Sequence, residues 1–130
     1  MQYDLKKFKV LNLDAENCFV TVTLNCVIFS SALVEKLNNP LFVKVLIDEE
    51  DRCLAIIKSK LKTPETIDFC SPYGMQTGIR LNNRGFAKKL RTMAGISETV
   101  AFRVYGDYLP DYDGFAFDLK KAKIVVQIQG

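Results

Sequence analysis

Arg84, Lys88 and Arg91 stand at i, i+4 and i+7 in a stretch whose pattern predicts a helix from about Asn83 to Ala94. Phe86, Leu90 and Met93 repeat that spacing on the opposite side, so a helix anchored by its apolar stripe would present the three cations together. Arg80 precedes this helix and Lys89 lies at the margin of its basic face. Such a face suits phosphates: neutralising them releases counterions, and arginine adds paired donors that grip a phosphate or a guanine edge. Arg80, Arg84, Lys88, Lys89 and Arg91 are therefore the candidate contacts to DNA or another polyanion. The competing reading is an ordinary solvated helix face.

The charge distribution sharpens this choice of segment. No acidic residue occurs between Asp68 and Glu98, and residues 76–130 carry a balance of +4 against −1 for residues 1–75. The overall +3 is thus local. Lys58, Lys60 and Lys62 would either extend a basic surface or blunt a sheet edge, and Lys6, Lys7 and Lys9 read as a solvated terminus.

A second cluster joins Tyr105, Tyr108 and Tyr112 to Asp107, Asp111 and Asp113. Tyrosine with aspartate could hold a sugar or a peptide, so the three tyrosines are a weaker candidate ligand site. A calcium loop would need more oxygen ligands and a closing glutamate. Asp113-Gly114 is accounted for as the turn that reverses a hairpin.

Several chemistries are excluded. The chain has no histidine, which removes triad machinery and the commonest neutral-pH base. Cys18, Cys26, Cys53 and Cys70 contain no C-x-x-C pair, so no metal site is expected and reduced, buried thiols are. No glycine-rich phosphate loop occurs. The expectation is a non-enzymatic binding protein without a cofactor. With no apolar run near a membrane span and no signal core at the N-terminus, it is also expected to be soluble and cytoplasmic.

The elements that must position these residues form one domain of 130 residues. Phe8–Leu13, Cys18–Leu24, Val27–Phe29, Val43–Ile47, Leu54–Ile57, Gly78–Leu81, Thr99–Tyr105, Phe115–Leu119 and Ile124–Ile128 read as strands, with a short edge strand possible in Thr66–Cys70. Ser31–Leu37 reads as a first helix, stopped by Asn38-Asn-Pro40, and Gly95 supplies the left-handed stop of the second. The class is α+β, mainly antiparallel β with two short helices. Ile28, Leu33, Leu37, Val43, Val45 and Ile47 recur as Leu81, Phe86, Leu90, Val100, Phe102 and Val104, at an offset of 53 residues and then 57. This predicts a duplicated strand–helix–hairpin unit, 18–58 and 78–119, joined by 59–77.

That element order, through Val27-Ile-Phe-Ser-Ser-Ala-Leu-Val-Glu-Lys-Leu37 to Ile57 and again through Gly78-Ile-Arg-Leu81 to Leu119, resembles the AbrB/MazE-type swapped-hairpin domains. The resemblance implies a DNA-binding transcription regulator whose tandem copies replace the usual dimer. Ser30 and Asn83 stand where that family has proline, and Val20-Thr-Val-Thr-Leu-Asn25 lacks its arginine-rich first strand, so no DNA-contacting residue carries over. The chain is also similar to small proteins of Gram-positive bacteria and their prophages. That likeness leaves open a homo-oligomeric assembly or protein-interaction module.

Overall fold

Alternating apolar and polar residues write the strands of this chain. The computed structural model, which describes residues 2–8, 17–73, 78–97 and 99–125, joins these strands into one curled sheet. In chain order the elements are β1 (Phe19–Val22), β2 (Val27–Ser30), α1 (Ser31–Lys36), β3 (Phe42–Asp48), β4 (Cys53–Ser59), β5 (Thr66–Asp68), β6 (Gly78–Leu81), α2 (Arg84–Ala94), β7 (Phe102–Leu109), β8 (Gly114–Asp118) and β9 (Lys123–Ile124). Turns of 3-10 helix lie at Leu5–Lys7 and Leu119–Lys121. The path across the sheet is β5-β3-β4-β8-β7-β1-β2-β6, with β9 also paired to β7. All these pairings are antiparallel. The class is α+β, mainly antiparallel β.

Local chemistry sets the helix ends. The Ser30 hydroxyl accepts from the Leu33 amide at 3.4 Å, and Asn83 Oδ1 accepts from that of Phe86 at 3.0 Å. Gly95, at φ 73°, closes α2 as expected. Of the strand expected at Phe8–Leu13, Phe8 follows the first 3-10 turn and the remainder lies outside the described residues, as do the last three residues of Ile124–Ile128.

The core fills the concave side of the sheet. Val20, Val22, Val27, Phe29, Leu54, Ile56, Phe102, Val104, Phe115 and Phe117 alternate inward along their strands, and Leu33 and Leu90 of the helices join them. All four cysteines are thiols; Cys18, Cys26 and Cys70 are buried while Cys53 is only half so. Burial pushes the Cys70 thiol up. Because β4 lies between β3 and β8, Lys58 guards no sheet edge. Lys62 instead pairs with Asp68 of the edge strand β5 at 3.7 Å.

Like strands of the two expected units meet: β2 pairs with β6, and β4 with β8. β1 lies on β7 as β5 lies on β3. The hairpins β3–β4 and β7–β8 have turns of equal length, each ending on a left-handed residue, Arg52 at φ 58° and Asp113 at φ 47°. Asp48 and Leu109 end the first strands and Cys53 and Gly114 begin the second, 61 residues apart in both cases. That register replaces the offset of 57 read from the sequence and sets buried Val43 against buried Val104. The extra length arises largely in α2, which has 11 residues to the 6 of α1.

One ladder of this arrangement is missing. β1 and β2 pair directly, but β5 and β6, the two ends of the path, do not. A cleft of about 410 Å³ lies between them, lined by Val45, Ile67, Asp68, Arg80, Leu81 and Phe86 among others.

Candidate functional site

α2 packs against β1 and the 119–121 turn, and its rotation there decides which cations reach solvent. Ala87, Leu90 and Met93 are buried, so the inward stripe is wider than Phe86, Leu90 and Met93 alone. At about 100° per residue, Arg91 falls only about 40° from Ala87, on the border of that stripe. Arg91 is accordingly 9% exposed. Its Nη1 donates to the Val100 carbonyl at 2.7 Å, and its guanidinium lies 5.3 Å from the Phe102 ring centroid. Part of Arg91 is thus committed to the fold and it does not share the solvent face of Arg84 and Lys88.

Those two are exposed, and neither forms a salt bridge among the described residues. Arg84 Nε donates to Asn25 Oδ1 at 2.8 Å, which ties α2 to the β1–β2 turn. Arg84, Lys88 and the edge of Arg91 line a cleft of about 370 Å³ together with Asn25, Ser97 and Thr99. Two or three cations beside hydroxyl and amide groups can hold an oxyanion.

The other candidate cations lie elsewhere. Lys89 forms an ion pair with Glu49, so its charge is locally balanced. Arg80, on β6, lines the open seam and has Nη1 3.7 Å from the Cys26 sulfur. Lys58, Lys60 and Lys62 do not line the α2 cleft.

The three tyrosines do not converge. Tyr105 and Tyr108 sit on opposite faces of β7, and Tyr112 is in the turn beyond it. The Tyr108 hydroxyl donates to Asp113 Oδ1 at 3.3 Å, and Lys36 lies 4.9 Å over its ring. Partial desolvation, then the Asp113 carboxylate, raise that hydroxyl above the ordinary tyrosine range. Tyr105 instead contacts Phe19, edge to face, at 5.6 Å.

Two arginines that carry no motif prove to be well placed. Arg52 Nε and Nη2 donate to the Met93 and Ala94 carbonyls at 2.6 and 3.0 Å, capping α2 from a hairpin turn. Arg103 lies across Phe19, 4.0 Å from the ring centroid, with Nε donating to Thr21 Oγ1 at 3.2 Å. The alternation Phe102-Arg-Val-Tyr105 already put Arg103 and Tyr105 on one face; that β1 is their neighbour was not readable from it. Among the described residues no group of three or more His, Cys, Asp or Glu side chains could hold a metal ion, and no helix is long and apolar enough to cross a membrane. No family model, curated protein or solved structure matches the chain.

Proposed function

We propose that this protein is a non-enzymatic binder of DNA or another polyanion, acting through the basic side of α2. The observation that carries the reading is the convergence of Arg84, Lys88 and the edge of Arg91 on one cleft. Arg84 and Lys88 make the phosphate contacts, Arg91 holds the helix against β7, and Arg80 and Lys89 are peripheral. The repeated strand–helix–hairpin order and the pairing of like strands support a place beside the AbrB/MazE-type swapped-hairpin regulators. On this reading one duplicated chain does what a dimer does there.

Affinity for nucleic acid should fall steeply with salt. Replacing both Arg84 and Lys88 by Gln should make the slope of log K against log salt shallower by about 2, since each phosphate contact contributes roughly 0.9 on a duplex. Titration by fluorescence anisotropy checks this, and an unchanged slope sinks the proposal.

The unpaired edges of β5 and β6 favour a second reading, an assembly or protein-interaction module. A stable homo-oligomer in solution with no nucleic-acid binding at low salt would select it.

A further inference from the structure

The register of five strands builds a row that crosses the outer face of the sheet. Arg80 stands opposite Ile28, Ile28 opposite Thr21, Thr21 opposite Arg103, and Arg103 opposite Lys123. Residues directly opposed in a ladder lie on the same face, and the intervening Val20, Val22, Val27, Phe29, Ile79, Phe102 and Val104 point into the core. The row therefore carries three cations on the outside, spanning roughly 19 Å over four strand spacings. Beside it Phe19 and Tyr105 form the next cross-strand pair, and Tyr105 is 47% exposed. Asp107, two residues further along β7, marks the acidic end of the face.

Arg103 is the centre of this surface. Its guanidinium lies over the Phe19 ring, and Thr21 accepts from Nε. Among the described residues neither of its terminal nitrogens has a protein acceptor. A guanidinium over an aromatic ring, next to a half-exposed tyrosine, is a surface on which unpaired bases stack. Phe19, Thr21, Ile28 and Arg103, with the hydroxyls of Ser30 and Ser31, line an open groove of about 550 Å³ there. A duplex hides its base faces and could use only the cations; a single strand can use the aromatic groups as well.

We propose that the outer face of β6-β2-β1-β7-β9 binds single-stranded nucleic acid, with bases stacked on Arg103 and Tyr105 and phosphates held by Arg80 and Lys123. This rests on the polyanion reading and names the class of polyanion.

The test uses the full chain with a short labelled oligothymidine and a duplex of equal length. The single strand should bind more tightly than the duplex. Tyr105→Ala should weaken single-strand binding by about 5- to 150-fold, while Tyr105→Phe keeps it and duplex affinity is unaffected. Because the chain has no tryptophan, tyrosine emission reports the contact directly: the single strand should quench it, less so in Tyr105→Ala. Lys123→Gln, at an exposed position, should lower single-strand affinity without a change in the melting temperature. If both ligands bind alike, respond to Arg84 and Lys88 and ignore Tyr105 and Lys123, this inference fails and the polyanion reading stands. If neither ligand binds at low salt, both fail.

Discussion

Arg84, Lys88 and Arg91 share a spacing but not an environment, and the difference follows from the width of the stripe that α2 buries. A helix with buried Ala87 and Leu90 draws Arg91 inward, where one end satisfies the Val100 carbonyl and the plane covers Phe102. Removing that guanidinium leaves a carbonyl without its donor, so Arg91→Met should cost about 1–3 kcal/mol in urea unfolding. Arg84→Met, on the open face, should stay within about 0.5 kcal/mol of the parent. Equal stabilities for the two variants would show that Arg91 holds nothing in place. Charge and period made the basic helix legible in the sequence. Whether a border residue faces solvent or core depends on what packs beside the helix, and that partner is far away in the chain.

At the scale of elements, helix ends follow from residue types: Ser30, Asn83 and Gly95 each do the local job their chemistry allows. The β4–β8 ladder depends on something less visible. A Cβ on Gly114 would lie 2.3 Å from the Ile56 carbonyl oxygen, so Gly114→Ala must push two central strands apart. It should destabilise by about 1–3 kcal/mol, whereas Gly85→Ala, exposed in the first turn of α2 with 3.4 Å to its nearest atom, should stabilise by about 0.4–1 kcal/mol. Chemical denaturation of the two variants tests the contrast, and opposite signs are required. Asp113-Gly114 was legible as a turn; the close approach of β4 was not, because cross-strand partners are long-range facts. For the same reason the sheet face around Arg103 is not legible in the sequence, although Tyr105 and Arg80 both lie on it.

Across the whole molecule, β2 meets β6 and β4 meets β8, while the sequence repeat alone says nothing of which strands pair between the units. β1 and β2 share a ladder while β5 and β6 leave a cleft, so protection should be uneven. Amides of β1 and β2 should exchange with deuterium near the global unfolding rate, and the outward amides of β5 markedly faster. Equal protection would mean that the seam closes in solution.

The interlaced pairing also has a cost in time. Within the first half β1–β2 and β3–β4 can form alone, but the outer edges of β2 and β4 wait for β6 and β8. A ribosome adding about 5–20 residues per second would leave the β4 edge uncovered for roughly 3–12 s after its last residue is made. For that interval the growing chain carries the open β4 edge, accompanied by that of β2 until residues 78–81 are made. Its hazard of mispairing therefore lies in the half-made molecule, and ends when residues 114–118 arrive.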